Sequence, residues 1–225
     1  LEPGQVLRLR RSLDQRKLTP AQQISKALRK AVVTYVKGTA KLARNGNSEV
    51  PLQANEFLLP GDMITTHSGA MVELIIDNQS VLRLHDKSVL SLVAIQDSAS
   101  NTKVGTRVFL AAGRVWTKVR KWAGPLVGFE VKMPNAIAGV HGTTFECFVD
   151  GDSSGLVTVH EGVVGVAGRL QSAETPVGAG KSVTVKKDGL ILAPVPTNGQ
   201  SPGWNQFNEQ RDQLLDEFAS AHLED

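Results

Sequence analysis

Short runs of alternating apolar residues, repeatedly broken by glycine, make up most of the chain from Ala31 onward. In FEVKM (129–133) and again in FECFV (145–149), every second residue is apolar. Side chains of an extended strand point alternately to opposite faces, so this spacing places the apolar residues on one face. A period of two is typical of strands and not of helices. The pattern therefore predicts an all-β body.

Glycines stand where these short strands have to change direction. A residue without Cβ adopts positive φ at little steric cost, which suits it to corners and tight turns. The residues predicted to form the corners and the turns beside them are Gly38, Gly61, Asp62, Thr66, Gly113, Gly142, Thr143 and Gly162. Strand, corner and strand in succession predict a β-solenoid or twisted β-roll. A β-sandwich tolerates the same alternation, and periodicity does not separate the two.

The segment after Leu18 changes to a helical pattern. Thr19 can cap a helix, Pro20 suits its first position, and Ile24 and Leu28 then share a face. We expect a short N-terminal helix here. Such a helix more often covers a neighbouring core than binds a membrane or a partner.

A second helical segment follows a Pro/Gly/Ser-rich linker at 195–203. Phe207, Leu214, Leu215 and Phe218 lie at roughly helical spacing, with acidic residues on the other faces. The chain is therefore predicted to contain a basic linker and short helix over 1–30, a β domain over 31–195, and a linker with an acidic amphipathic helix over 196–225.

Charge is distributed unevenly along the 225 residues, although the formal net charge is only +3. Residues 1–37 carry nine Lys or Arg against two acidic residues, and residues 201–225 carry six acidic residues against one Arg. A net charge this small does not indicate nucleic-acid binding. The two ends can attract each other, but exposed pairs contribute only about 0–1 kcal/mol each.

Cys147 is the single cysteine, so the chain forms no internal disulfide. Its place in an alternating apolar strand predicts a buried small hydrophobe, not a reactive thiol. No apolar run approaches the roughly 20 residues that cross a bilayer, and no signal-peptide pattern is present. Because the chain begins with Leu1, we expect a processed or trimmed product.

Candidate catalytic residues do not form a recognisable motif. The five histidines (His67, His85, His141, His160 and His222) lack metal-ligand spacing, and one cysteine does not make a zinc site of the usual kind. A nucleophile elbow and a phosphate-binding glycine loop are both absent from the sequence. We therefore predict a protein that is not an enzyme and that needs no cofactor or metal.

The best candidate interaction patch interleaves cations and aromatic rings. It comprises Arg114, Trp116, Lys118, Arg120 and Trp122. Arg and Trp are common interface anchors, and the same combination can bind glycans. The alternative reading is the ordinary solvated face of an exposed strand, with the tryptophans covering one end of the core.

Several segments, taken in order, resemble the FecR-type domain of bacterial iron-dicitrate sensors. They are VVTYVKG (32–38), LLPGDMITTHSGAMVELIIDNQSVLRL (58–84), LAAGRVW (110–116), VKMPNAIAGVHGTTFECFV (131–149) and VTVHEGVVGV (157–166), within about residues 31–185. The resemblance implies an extracytoplasmic β-solenoid-like domain. His141 stands where the family commonly has an arginine, so a partner contact made by that arginine is not expected to carry over.

Together these features predict a non-enzymatic interaction module, periplasmic or otherwise extracytoplasmic. We expect a cell-envelope sensor or scaffold of the signal-transduction type that binds a protein partner. The alternative is a module that binds peptidoglycan or another polysaccharide. It would be favoured if the leader GQVLRLR, which loosely resembles the end of a LysM module, belongs to a wall-binding domain and if Trp116 and Trp122 are exposed.

Overall fold

Strands form most of the chain that the structure describes. The structure is a computed structural model, and it describes residues 31–76, 80–95, 105–119, 128–140, 142–171, 173–197 and 202–221. Valine, isoleucine and leucine at alternate positions favour extended backbone that is buried on one side. The predicted N-terminal helix lies outside the described residues.

The elements follow one another as many short strands and then a long helix. Their bounds are β1 (Ala31–Lys37), β2 (Ala40–Arg44), β3 (Val50–Pro51), β4 (Phe57–Leu58), β5 (Asp62–Thr66), β6 (Met71–Ile76), β7 (Ser80–Leu84), β8 (Val89–Ala94), β9 (Thr106–Lys118), β10 (Phe129–Lys132), β11 (Ala136–Val140), β12 (Thr144–Val149), β13 (Gly155–Glu161), β14 (Val163–Gly168), β15 (Thr175–Gly178), β16 (Lys181–Val185), β17 (Val195–Pro196) and α1 (Pro202–Ala221).

The strands pair into two sheets that share the long strand β9. The front sheet runs in the order β4, β1, β6, β7, the second half of β9, β12, β13, β16 and β17. The back sheet runs in the order β3, β2, β5, β8, the first half of β9, β10, β11, β14 and β15. These pairings are antiparallel except that of β9 with β10.

Wherever the described chain passes from one sheet to the other, a residue with positive φ stands at the crossing. These residues are Gly38 (71°), Asn55 (67°), Gly61 (95°), Gly69 (72°), Lys87 (52°), Gly113 (84°), Gly142 (69°), Gly162 (82°) and Gly180 (73°). Glycine is favoured there because an L side chain is strained in the left-handed region.

The inner faces of the two sheets bury one continuous apolar cluster. Val33, Leu74 and Phe145 contribute from the front sheet, and Leu42 and Leu90 contribute from the back sheet. Cys147 belongs to the same cluster and is fully buried, which confirms its prediction as a small core residue. Burial raises the pKa of the Cys147 thiol far above its usual range, so the thiol stays protonated.

The predicted predominance of strands and the C-terminal helix are confirmed. The pairings give sheets that are open, neither closed nor curled into coils, so they do not establish the predicted solenoid. Alternation with period two is common to solenoids and to flat sheets. The difference between them depends on which strands pair, and the alternation of apolar residues does not determine strand pairing.

Candidate interaction face

A row of large, mostly polar side chains crosses the outer surface of the front sheet. The strand registers place Tyr35 beside Glu73, Glu73 beside Arg83, Arg83 beside Trp116, and Trp116 beside Glu146. We call Tyr35, Glu73, Arg83, Trp116 and Glu146 the polar row. Cross-strand neighbours of this kind lie close enough for direct contact. Five strands, which span the chain from β1 to β12, therefore build one continuous surface.

Alternation explains why the polar row points away from the core. Glu73 lies between the inward-facing Val72 and Leu74, and Arg83 lies between Leu82 and Leu84. Despite this outward orientation, Glu73 and Arg83 are 0% exposed, and Trp116 and Glu146 are 5% and 2% exposed. Charged groups are almost never buried unless they are paired. Another element must therefore cover the row and supply partners.

The covering element is α1. Its inward side is formed by residues spaced three and four apart, which lie on one helix face: Trp204, Phe207, Asn208, Arg211, Asp212 and Leu215. Half of these residues are polar or charged. Leu214, which the sequence pattern grouped with the apolar face, is instead 46% exposed on the outer side. The inner face of the helix therefore combines apolar residues with charged ones, and the charged residues face the charged side chains of the front sheet.

Arg83 is the centre of the contact between α1 and the front sheet. Its Nε donates to Glu73 Oε2 at 2.8 Å, its Nη1 donates to the backbone carbonyl of Asn208 at 3.0 Å, and its Nη2 donates to Asp212 Oδ1 at 2.6 Å. The guanidinium also stacks over the Trp116 ring at 4.5 Å from the centroid. The planar fork of arginine makes several directed bonds at once, which a lysine ammonium does not reproduce.

Glu73 is held from three sides. In addition to Arg83, Arg211 of α1 donates to both carboxylate oxygens, at 2.5 Å and 3.2 Å, and the Thr34 hydroxyl donates to Oε1 at 2.8 Å. Arg211 also lies over the Tyr35 ring at 4.8 Å. Each oxygen of this buried carboxylate therefore has charged partners, which offsets the cost of removing it from water.

Glu146 joins the other end of α1 to the sheet. Its Oε2 accepts the indole N–H of Trp204 at 2.7 Å, and its Oε1 is paired with Arg114 on the neighbouring strand. Trp204 is 2% exposed and meets His85 edge to face at 4.7 Å between ring centroids. A buried indole N–H needs an acceptor, and Glu146 provides it.

The pKa values of the two buried carboxylates, Glu73 and Glu146, are shifted in opposite directions. Burial by itself raises the pKa of Glu73, but hydrogen bonds from Arg211, Arg83 and Thr34 outweigh it and leave the pKa below its ordinary value. Burial also raises the pKa of Glu146, and there Arg114 and Trp204 compensate only in part, so the pKa stays above its ordinary value. A carboxylate with several cationic donors is stabilised in its charged form, whereas burial favours the neutral form.

Acid should weaken the attachment of α1 to the front sheet. Because the folded-state pKa of Glu73 lies below the ordinary value of 4.5, the unfolded chain binds more protons there. The stability that ionised Glu73 contributes is present above about pH 4.5 and is lost as the pH falls through the folded pKa. At pH values below about 4.5, we expect the urea concentration at the unfolding midpoint to decrease with falling pH in the natural chain. The decrease should be less steep in Glu73→Gln. Equal acid slopes in both proteins would contradict the assignment.

The contribution of Glu146 to stability changes with pH in the opposite direction, and it changes in a different pH range. Its folded pKa is raised, so its contribution is fully present below the unfolded value of 4.5 and decreases as the pH rises through the folded pKa. The Glu73 effect is therefore measured below about pH 4.5, where the Glu146 contribution has levelled off.

The residues of the predicted corners and turns make structural contacts. The Asp62 carboxylate accepts the backbone N–H of Leu59 at 3.0 Å and also pairs with Arg44 at 3.1 Å. The Thr66 hydroxyl donates to the His85 carbonyl at 2.7 Å and accepts the Ser88 N–H at 2.8 Å. The Thr143 hydroxyl is buried without a hydrogen-bond partner among the described residues.

The predicted cation and aromatic patch is only partly within the described residues. Arg114, Trp116 and Lys118 do lie on one side of β9, on the outer surface of the front sheet, whereas Arg120 and Trp122 lie outside the described residues. Trp116 is buried beneath α1, so it is not the exposed anchor that the patch requires. Arg114 pairs with Glu146, and Lys118 pairs with Asp212 at 2.8 Å.

Sequence reasoning missed Glu73, Glu146, Asn208, Arg211 and Asp212, which bind the helix to the sheet. One signal was available for the strand residues. Glu73 in MVELII and Glu146 in TFECFV are acidic residues inside strongly apolar strands, which is unusual for a solvated face. Within the ranges that the structure describes, no group of three or more His, Cys, Asp or Glu side chains has the geometry to hold a metal ion.

The resemblance found in the sequence is confirmed over residues 62–165, which match the family model of the FecR protein. Two crystal structures, at 1.65 Å and 2.50 Å resolution, of a Parabacteroides distasonis protein provisionally assigned as an anti-sigma factor have a similar fold, with a TM-score of 0.50 and 18% identity. The similarity covers 61% of this chain and 61% of that chain. At such identity it concerns the fold alone. No curated protein matches the chain.

As for membrane association, none of the helices in the described ranges combines the length and the apolar character that a membrane span requires.

Proposed function

We propose that this protein, whose residues 62–165 match the family model of the FecR protein, is a non-enzymatic signal-transduction module that binds a protein partner outside the cytoplasm. The family match is the observation that carries this proposal. The fold shared with a protein assigned as an anti-sigma factor supports the same regulatory class.

The chemistry of the polar row favours a structural role over a catalytic one. Glu73 and Asp212 are bound by arginine, and Arg83 uses its donors on Glu73, Asn208 and Asp212. Groups engaged in this way hold two elements together and are not available to a substrate. We therefore propose that the polar row holds α1 on the front sheet and does not catalyse a reaction.

We propose that the partner binds on the side of the domain that carries α1. The outer side of the helix exposes Leu214, at 46%, with the exposed acidic residue Glu217 one turn further along. An apolar side chain inside a charged rim is the usual arrangement of a small protein interface. The partner surface would then be basic with an apolar recess, because charge complementarity guides such encounters.

Site-specific photo-cross-linking tests this proposal. A photoreactive residue at position 214 should give a discrete protein adduct in an envelope extract of the source organism, whereas the same residue at position 163 should not. Val163 is a matched control because it is 58% exposed and lies on the back sheet. Leu214→Asp should abolish capture of that partner without changing the melting temperature, since surface substitutions rarely alter stability.

The alternative function, binding to the cell wall, predicts a different result: sedimentation with peptidoglycan and no protein cross-link. Its structural basis was an exposed tryptophan patch, and Trp116 is buried. If the protein sediments with purified peptidoglycan and neither position gives a protein adduct, the proposed function is wrong.

A further inference from the structure

A cavity of about 330 Å³ lies at the seam between α1 and the front sheet, beside the polar row. It is lined by Trp116 and Lys118 from β9, by His160 and Glu161 from β13, and by Asn208 and Glu209 from the helix, among others. This volume is at the small end of ligand pockets in proteins. It suits a small molecule or the end group of a larger one.

Asn208 gives the cavity an unused hydrogen-bond donor. The residue is only 3% exposed, and its Nδ2 is buried without a partner among the described residues. The orientation of the amide is fixed, because Arg83 Nη1 donates to Oδ1 at 3.4 Å and a reversed amide would set an N–H against the guanidinium. Nδ2 is therefore the end of the amide turned away from Arg83. A buried donor without an acceptor is costly, and Asn208 is one of the residues that line the cavity, so we infer that a ligand in the cavity supplies the acceptor.

The rim of the cavity carries negative charge. Glu161 and Glu209 are both exposed, and the Thr144 hydroxyl donates to Glu161 Oε2 at 3.4 Å. Lys118 is the one lysine among the residues that line the cavity, and it is already paired with Asp212 at 2.8 Å. His160 is exposed, but partial desolvation still lowers the pKa of its ring, so the ring is neutral at pH 7 and adds no charge. The charges left for a ligand are those of the two carboxylates.

We propose that this cavity binds a small molecule, or the end group of a larger one, in which an ammonium stands beside an oxygen acceptor. The oxygen accepts from Asn208 Nδ2, and the ammonium lies between Glu161 and Glu209 at the rim. Amino sugars and amino-acid amides both have this chemistry. The inference rests on the cavity and on Asn208, and it holds whether or not a protein partner binds the outer side of α1.

Two pairs of probes test the inference by calorimetry on the full chain. D-glucosamine is compared with D-glucose, and L-alaninamide with N-acetyl-L-alaninamide, so that each pair differs in the ammonium. We expect at least one ammonium compound to bind with millimolar affinity, and its neutral counterpart to bind about tenfold more weakly. The pair that responds identifies the source of the ligand. No binding by either ammonium compound at about 10 mM, or equal binding of a neutral counterpart, would overturn the proposal.

Variants separate the site from the fold. Glu161→Gln and Glu209→Gln should each weaken binding several-fold, and Asn208→Ala should weaken it about tenfold. Asn208→Ala keeps the bond of 3.0 Å from Arg83 to the backbone carbonyl, so the helix should stay in place. Gln210→Ala, on the exposed side of the same helix, is the matched control and should bind normally. Unchanged affinity in Asn208→Ala would show that the buried amide does not contact the ligand.

Discussion

Arg83→Met should destabilise the protein by about 3–5 kcal/mol and release α1 from the front sheet. Removing one member of a buried ionic network leaves its partners buried without compensation, and that is the expected size of the cost. Methionine fills a similar volume, so the loss reflects charge and hydrogen bonds and not a cavity. Urea unfolding measures the total effect, and cleavage by trypsin after Arg211 reports whether the helix has left the sheet.

Lys118→Met is the matched control for Arg83→Met. Lys118 contacts the same carboxylate, Asp212, but its side chain is 35% exposed, so its removal should cost no more than about 1 kcal/mol. If Arg83→Met and Lys118→Met have similar stabilities, and Arg211 stays resistant to trypsin in both, then Arg83 is not the centre of the contact.

Gly113→Ala should cost about 3–5 kcal/mol, because it combines backbone strain with a steric clash. Gly113 has a φ of 84° at the point where β9 passes from the back sheet to the front sheet. A Cβ there would lie 2.5 Å from Ser88 Cα and 2.6 Å from the Lys87 carbonyl oxygen. Ser88 has little freedom to move, since its hydroxyl accepts the Arg114 N–H at 2.9 Å.

Gly180→Ala provides the comparison that isolates the clash. Gly180 has a φ of 73°, but a Cβ there meets nothing within 4 Å. It should therefore cost only the strain, about 1–2 kcal/mol. Equal unfolding free energies for the two variants would mean that the crossing at Gly113 is not tightly packed against Ser88.

The strands and most crossings could be predicted because they depend on local chemistry. Alternating apolar residues specify which side of a strand is buried, and glycine marks positions where φ is positive. Lys87 shows the limit of this reasoning. It makes the same kind of crossing with a φ of 52°, and a lysine gives no such signal in the sequence.

The contact between α1 and the polar row could not be predicted because it depends on residues far apart in the chain. Alternation in VLRL (81–84) places Arg83 on the side away from the core, but the exposure of its side chain is decided by Asn208 and Asp212, more than 120 positions later. The polar row itself depends on register, and a shift of one residue would turn these side chains into the core. Alternation determines which face of the sheet each residue lies on, but it does not determine which strand lies beside it.

The inner side of α1 illustrates a second limit. A hydrophobic pattern groups Leu214 with Phe207 and Leu215, yet Leu214 faces outward and Arg211 and Asp212 face the sheet. A helix that docks through charges gives a misleading apolar stripe, since the residues that hold it are counted as solvated. The acidic residues inside apolar strands were the better indication.

Hydrogen exchange of the natural chain at neutral pH tests most directly whether α1 is locked onto the front sheet by the polar row. If it is, the amides of residues 207–215 should be protected nearly as strongly as those of β6 and β7, because opening the helix would expose Glu73 and Arg83. Exchange of these helix amides at the rate of an isolated peptide, with the strands still protected, would contradict it.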